Sequence, residues 1–172
     1  MYRKLTIVTV IAVVMGLLVV PVFAKGPSGP AGKSNVGHLY LYEKDADWEI
    51  VEGGAWGKMK YNLSGSTFDF VFNGHSLPVG QDYTLIYYPD PWPGSGLICL
   101  GSGTVNEDGN VHIKELVDTG GLPNETDANA GAKIWLVLSS DVDCGELEMI
   151  AWDPAAYLFE YDLITFDEKD DE

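Results

Sequence analysis

Three prolines alternate with Tyr88, Asp90 and Trp92 in the stretch YYPDPWPGSGLICLGSG, residues 87–103. A residue that precedes proline favours an extended conformation, so the loop is predicted to be stiff and extended. In one interpretation Tyr88 and Trp92 form a preorganised platform against sugar rings or a partner chain, and Asp90 accepts hydrogen bonds. In the other, which the usual burial of large aromatic side chains favours, Trp92 folds back over the end of the core.

Oxygen-rich loops offer candidate ligands for a calcium ion. Asp141 and Asp143 lie in SSDVDCGELE, and Asp127 lies in LPNETDANAG, residues 122–131. Calcium takes several oxygen ligands from flexible loops, although neither segment has the spacing of an EF-hand loop. Asp127, Asp141 and Asp143 are therefore the candidate calcium ligands. Solvated loops without an ion are the commoner alternative, and no other cofactor is expected.

Residue types that catalyse hydrolysis occur here without the spacing that catalysis requires. Glu160 and Asp162 lie two apart in a predicted strand and could face a glycosidic bond, but so acidic a chain offers many such pairs. The three histidines lack metal-binding spacing, and no G-x-S-x-G motif is present. We therefore expect a protein that is not an enzyme. An extracellular hydrolase that acts on glycans is the alternative.

The N-terminus has the features of a secretory signal. Arg3 and Lys4 precede an apolar run at 5–20, and Val22-Phe23-Ala24 places small residues where signal peptidase reads them. We predict a signal peptide at residues 1–24 and an extracellular or cell-surface protein, with no membrane insertion after cleavage. The alternative is an uncleaved anchor, since the apolar run is almost long enough to span a bilayer.

Two kinds of covalent modification fit an exported protein. Cys99 and Cys144 are the two cysteines of the chain, and in an oxidising compartment they are expected to form a disulfide. In the chain-entropy description such a bond stabilises the fold by about 3.5–4 kcal/mol. Asn62 and Asn124 each begin an N-glycosylation sequon, and Asn124, in a predicted surface loop, is the better acceptor.

The chain is strongly acidic. Its formal net charge is −16, and removal of residues 1–24 takes away two basic residues and no acidic one, which gives −18. Such a surface repels phosphate backbones and anionic lipids, so nucleic-acid and membrane-surface partners are not expected. Carbohydrate and cell-surface proteins remain as candidate partners.

The body of the chain has the two-residue period of β-strands. Polar and apolar residues alternate in AWGKMKYNL, residues 55–63, and TFDFVFNG places three phenylalanines on one side, so these runs predict a hairpin. Further predicted strands cover 38–42, 83–88, 97–104, 111–116, 133–138, 147–152 and 157–166. The sequence predicts an all-β domain at 36–166, an antiparallel β-sandwich of about 8–10 strands that is immunoglobulin-like or jelly-roll-like. A flexible linker at 25–35 precedes it, and an acidic tail at 167–172 follows.

Two resemblances bear on the fold. LPVGQDY, residues 77–83, resembles the tyrosine corner of immunoglobulin-like and fibronectin type III sandwiches, in which the tyrosine hydroxyl, here that of Tyr83, bonds back to the chain. The stretches FVFNGHSL, LIYYPDPWPGSGLICLGSGT, GAKIWLVLSSDVDC and YLFEYDLITF are similar to a group of small secreted proteins found mostly in methanogenic archaea and environmental genomes. That resemblance implies an extracellular β-rich domain and supplies no catalytic residues.

Taken together, the sequence predicts a secreted or cell-surface β-sandwich with a binding or envelope-associated role. A structural subunit that assembles by adding strands at sheet edges is a further alternative.

Overall fold

The structure, a computed structural model, describes residues 34–169. The predicted signal peptide and most of the predicted linker lie outside these residues, as do the last three residues of the predicted tail. The described part contains strands and two 3₁₀ turns and no α-helix. Consistent with this, no helix in residues 34–169 has the length and hydrophobicity needed to span a membrane.

Two antiparallel sheets pack against each other, so the predicted all-β sandwich class is confirmed. The strands are β1 (Val36–Tyr42), β2 (Trp56–Asn62), β3 (Ser64–Gly65), β4 (Phe68–His75), β5 (Asp82–Tyr87), β6 (Ile98–Thr104), β7 (Val111–Val117), β8 (Ile134–Leu138), β9 (Val142–Asp143), β10 (Glu148–Met149), β11 (Phe159–Glu160) and β12 (Asp167–Glu168). The 3₁₀ turns are Ser139–Asp141 and Pro154–Ala156. The larger sheet has the order β11-β1-β2-β4-β7 and the smaller β6-β5-β8.

The larger sheet follows the predicted alternation of side chains. β2 and β4 form the predicted hairpin, with Met59 opposite Phe72 and Tyr61 opposite Phe70. Phe68, Phe70 and Phe72 are buried, whereas the intervening residues are at least partly exposed. One face of this sheet therefore lines the core, and the other meets solvent.

The smaller sheet is buried on both faces. Five consecutive residues of β5 and four of β8 are buried, so the alternation disappears there. Leu85 and Leu136 face the larger sheet and belong to the main core. Ile86 and Trp135 face the opposite way and belong to a second apolar cluster. Something must therefore cover the outer face of the smaller sheet.

That cover is the segment at residues 139–157, which we call the strap. Val142 and Tyr157 of the strap are buried in the second cluster, and Met149 packs against it. A disulfide joins Cys144 of the strap to Cys99 of β6, with the two Cα atoms 5.8 Å apart. The predicted disulfide is thus confirmed, and it fastens the strap across the smaller sheet.

The C-terminal part of the domain departs from the predicted strands. The predicted strand at 147–152 shortens to β10, and the one at 157–166 shortens to β11 followed by isolated bridges at Ile164 and Phe166. The apolar residues of these runs pack on cores without continuous pairing, which a two-residue pattern does not reveal. The predicted acidic tail begins as strand β12, which pairs in parallel with β3 while its side chains stay exposed.

The strand order differs from that of an immunoglobulin domain. A constant-type domain places its first, second, fifth and fourth strands in one sheet. Here the strands of five or more residues are β1, β2, β4, β5, β6, β7 and β8. The first, second, third and sixth of these, which are β1, β2, β4 and β7, share the larger sheet. The tyrosine-corner bond is also missing, because within residues 34–169 the Tyr83 hydroxyl makes no hydrogen bond to the backbone.

Candidate functional site

The proline-rich loop between β5 and β6 presents Trp92 to solvent and buries Tyr88. Trp92 is 64% exposed, so it does not fold back over the core, whereas Tyr88 is 2% exposed. The loop turns instead of running extended as predicted, because the Gly94 and Leu97 N–H groups bond to the carbonyls of Pro91 and Gly94. Tyr88 lies close to Trp92, with ring centroids 5.9 Å apart, and does not offer a second open face.

Tyr88 is packed firmly against its neighbours. Its ring stacks on Trp135 with centroids 4.3 Å apart and planes 10° apart. The Lys133 ammonium lies 5.1 Å from its centroid, and a Cβ at Gly94 would come within 2.7 Å of the ring. Burial, assisted by the charge of Asp90, raises the pKa of the Tyr88 hydroxyl to about 12. Tyr88 is therefore a neutral support for the Trp92 loop.

Two tryptophans that the sequence predictions did not single out enlarge the exposed aromatic area. Trp48 is 54% exposed and Trp152 is 44% exposed. The rings of Trp92 and Trp152 meet edge to face with centroids 6.3 Å apart. Trp48 and Trp152 line a groove of about 220 Å³ together with Phe159. We call Trp48, Trp92 and Trp152 the tryptophan surface.

A tight turn before β2 presents Trp48. The Asp45 carboxylate accepts hydrogen bonds from the backbone N–H groups of Asp47 and Glu49, at 2.9 and 3.0 Å. Trp48 has a φ of 63°, a left-handed conformation that costs a bulky residue roughly 1–3 kcal/mol. Lys44 lies beside it, with its ammonium 5.9 Å from the indole centroid. Backbone outliers of this kind concentrate at functional sites.

Trp152 rests on the buried aromatic residues of the strap. Its ring is 5.5 Å from that of Tyr157, in an edge-to-face arrangement. The Tyr157 hydroxyl donates a 2.5 Å hydrogen bond to the buried Asp141 carboxylate and accepts one from the Asp153 N–H. Burial and the bond to Asp141 raise the pKa of Tyr157, so the phenol stays a donor at neutral pH. Asp141 therefore orders the strap beneath Trp152.

Asp127 orders the loop that carries Trp92. Its carboxylate accepts hydrogen bonds from the Tyr87 hydroxyl at 2.7 Å, from the Asp90 N–H at 3.1 Å and from the Asn129 N–H at 2.9 Å. Asp90 in turn pairs with the Lys133 ammonium at 2.5 Å and accepts a bond from Asn129. These bonds, that of Lys133 foremost, lower the pKa of Asp90.

The structure does not bring the candidate calcium ligands together. Within residues 34–169 no three Asp, Glu, His or Cys side chains are grouped closely enough to hold a metal ion. Asp127 and Asp141 each accept a tyrosine hydroxyl, and Asp143 accepts the N–H groups of Gly145 and Glu146 in a local turn. All three carboxylates are thus engaged in holding loops.

Glu160 and Asp162 do not form the predicted carboxylate pair. Strand β11 ends at Glu160, and Asp162 lies in an exposed bend. The Glu160 Oε2 atom is buried and lacks a hydrogen-bond partner in the described part of the chain, as does the Trp135 indole N–H. Burial raises the pKa of Glu160, and the charge of Lys44 is among the influences that oppose this.

The two sequon asparagines differ in how their side chains are engaged. The Asn62 amide donates to the carbonyl of Thr67 and accepts the Asp69 N–H, which ties the β2–β4 connection together. The Asn124 oxygen accepts the N–H and hydroxyl of Thr126, and its amide makes a long 3.4 Å contact with the Gly96 carbonyl. Asn124 is therefore the less constrained of the two.

The sequence around Trp48 and Trp152, which the sequence predictions did not single out, contains one local signal of their exposure. Trp48 in DADWE and Trp152 in AWDPA each stand beside residues that form turns, and turns present side chains at the surface. The sequence does not show which turns come together, because Trp48 and Trp152 are 104 residues apart in the chain and belong to different parts of the fold. Comparisons with protein-family models, with curated proteins and with solved structures found no match to this chain.

Proposed function

We propose that the protein is a non-catalytic binding module whose tryptophan surface binds carbohydrate. The observation that carries the proposal is the contiguity of three exposed indoles, two of which line one groove. Clustered exposed apolar area on a soluble domain marks an interaction site, whereas single exposed apolar residues are ordinary. Tryptophan is also among the residues that contribute most to binding energy at such sites.

A sugar ring matches the chemistry of this groove. The indoles of Trp48 and Trp152 offer flat apolar area to the C–H face of a sugar. Lys44 and Asp45 also line the groove and supply a donor and an acceptor for hydroxyl groups. A mostly apolar cleft with a few polar groups is the usual composition of a small-ligand site.

The negative charge around Trp48 limits which class of carbohydrate the surface can bind. Asp45, Asp47 and Glu49 surround Trp48 in its turn, and the whole chain has a formal net charge of −16. Sulfated, phosphorylated and uronic-acid-rich glycans would be repelled by this field. We therefore propose a neutral glycan as the ligand.

In this proposal the protein acts outside the cell, because its N-terminus has the features of a secretory signal. The Cys99–Cys144 disulfide supports an oxidising compartment, since such bonds are rare in the reducing cytosol. The buried rings behind Trp152 and the hydrogen bonds of Asp127 hold the surface in place, so little entropy is lost on binding.

The test is a screen of residues 25–172 on a glycan array, followed by calorimetric titration of the best neutral hit. We expect Trp48→Ala and Trp152→Ala each to weaken binding by about tenfold or more, because a central tryptophan commonly contributes about 2 kcal/mol or more. Trp92→Ala should weaken binding while changing the free energy of unfolding by less than about 1 kcal/mol, because its ring is mostly exposed.

Trp56→Ala is the matched control. Trp56 is 37% exposed and lies in β2 of the larger sheet, where its ring stacks near His75. The proposal fails if Trp56→Ala weakens binding as much as Trp152→Ala does, or if no neutral glycan binds. Release of shortened glycan during the incubation would favour the hydrolase alternative.

A further inference from the structure

A second cavity lies beside the tryptophan surface, between the end of β1 and the corner that precedes β5. The cavity has a volume of about 170 Å³. Its polar lining includes Glu43, Ser76 and Tyr83, and its apolar walls include Leu77, Pro78 and Leu158. At about 30 Å³ for each water-sized group, it has room for a molecule of a few heavy atoms.

Tyr83 brings an unpaired hydroxyl to this cavity. The side chain is 1% exposed, and its hydroxyl has no hydrogen-bond partner in residues 34–169. The hydroxyl oxygen itself is not fully buried, so it reaches the open space of the cavity. In a tyrosine corner this hydroxyl would form a hydrogen bond with the backbone. Here it is available to an occupant of the cavity.

The charge around the cavity is negative. The Glu43 carboxylate is fixed there, since one of its oxygens accepts the Ala55 N–H at 2.8 Å. Burial raises the pKa of Tyr83, and the charges of Asp153 and Glu43 add to this. The lining contains no Lys, Arg or His that would neutralise them. An occupant with a positive charge and N–H donors is therefore favoured.

We propose that this cavity binds a small primary ammonium ion, with Glu43 as counter-ion and the hydroxyl groups of Tyr83 and Ser76 as hydrogen-bond acceptors. An ammonium group has three donors and no acceptor, which matches these three oxygen-bearing side chains. A short alkyl stem fits against Leu77, Pro78 and Leu158. A bare metal ion is not the proposed occupant, because it would need more carboxylate ligands than this lining provides.

The experiment is a titration of the ¹⁵N-labelled protein, residues 25–172, with ethylammonium chloride, followed by amide chemical shifts. We expect saturable shifts at Ala55, Leu77 and Leu158, and none at the amides around Trp92, which does not line the cavity. Acetate and ethanol at equal concentration should leave the chemical shifts of these amides unchanged, because acetate is an anion and ethanol has no charge. Nα-acetyl-lysine amide shows whether the same ammonium chemistry is also accepted from a protein side chain.

Three variants make the test specific. Glu43→Gln keeps an oxygen for the Ala55 N–H but removes the counter-ion, so we expect at least about tenfold weaker binding. Tyr83→Phe keeps the ring in the core and should weaken binding by about tenfold or more, the effect of one hydrogen bond from a charged donor. Tyr61→Phe, at a buried tyrosine that does not line the cavity, is the control and should bind normally.

Absence of saturable shifts with ethylammonium would overturn the proposal, as would equal affinity in the Glu43→Gln and unchanged proteins. If Glu43→Gln does not fold, the Tyr83→Phe and Tyr61→Phe pair decides the matter alone, because equal affinity in these two proteins excludes the site. The result can be separated from glycan binding, since the substituted residues do not line the groove of Trp48 and Trp152.

Discussion

Glu160 shows at the residue scale how a single side chain opposes the stability of the fold. Its Oε2 atom is buried without a hydrogen-bond partner in residues 34–169, and burying a charged oxygen in this way is costly. Burial raises the pKa of Glu160 above its ordinary value of 4.5, although its own backbone N–H, the charges of Lys44 and Lys133 and the nearby Trp135 indole N–H oppose the shift. The folded protein therefore holds this proton more tightly than the unfolded chain does.

This shift makes Glu160→Gln a stabilising substitution at neutral pH. A raised pKa means that the stability which Glu160 contributes is present at low pH and is lost as the pH rises through its folded-state pKa. Glutamine has the same shape and no charge, so we expect a higher free energy of unfolding at pH 7 and a difference that disappears below about pH 4. Urea denaturation of both proteins between pH 3.5 and 8 measures this difference in the free energy of unfolding.

Asp162→Asn is the control for this change, since Asp162 is an exposed neighbour. We expect it to alter the free energy of unfolding by less than about 0.5 kcal/mol. If Glu160→Gln is no more stable than the unchanged protein at pH 7, the burial cost assigned to Glu160 is wrong.

At the scale of elements, the strap links the disulfide to the proposed binding surface. The strap covers the outer face of the smaller sheet, and its regular structure amounts to two short 3₁₀ turns and two-residue strands. The disulfide fastens it at Cys144, and it carries Trp152 and the buried Tyr157. The strap is therefore held by the disulfide together with the packing of Val142 and Tyr157, and by few regular backbone bonds.

Removing the disulfide should therefore loosen the strap more than the sandwich. The bond closes a sequence separation of 45 residues, for which the chain-entropy description gives about 4 kcal/mol. In the Cys99→Ser/Cys144→Ser protein we expect faster hydrogen exchange at residues 139–157 than in the unchanged protein, with β2 and β4 less affected. Glycan binding should weaken in parallel. An equal acceleration of exchange in the strap and in the β2–β4 hairpin would contradict this account.

At the scale of the whole molecule, unrelieved negative charge is the dominant electrostatic feature. The chain has 26 acidic and 10 basic residues. In the described residues two ion pairs are formed, Lys133–Asp90 and Lys169–Asp167. Most carboxylates therefore lie without a cationic partner, and their mutual repulsion destabilises the compact state.

Added salt should accordingly stabilise the protein. The Debye length falls from about 30 Å at 0.01 M to about 8 Å at 0.15 M ionic strength, so we expect the melting temperature to rise over this range of sodium chloride. Calcium chloride at equal ionic strength is the comparison. A distinctly larger rise with calcium, reversed by EDTA, would indicate that calcium binds specifically and does not act through ionic strength alone. A melting temperature that falls with sodium chloride would contradict the repulsion argument.

Much of the fold was predictable because it depends on local patterns. The alternation in β2 and β4 identifies the hairpin and its buried phenylalanines without tertiary information. The disulfide follows from two cysteines in a chain that is predicted to be secreted. The C-terminal segments were predicted less well, because a short apolar run has the same pattern whether it pairs in a sheet or covers a cluster.

The sequence by itself determined the all-β class, the cysteine pairing and the acidic surface, since each depends on composition or on spacing along the chain. Only the tertiary structure decided the candidate sites. It buried Tyr88, exposed Trp92 and brought Trp48 and Trp152 to one groove. It also turned Asp127 and Asp141 into acceptors for tyrosine hydroxyls. The reason is physical: whether a side chain stacks, bonds or faces solvent depends on neighbours that long-range packing supplies, and spacing along the chain does not encode those neighbours.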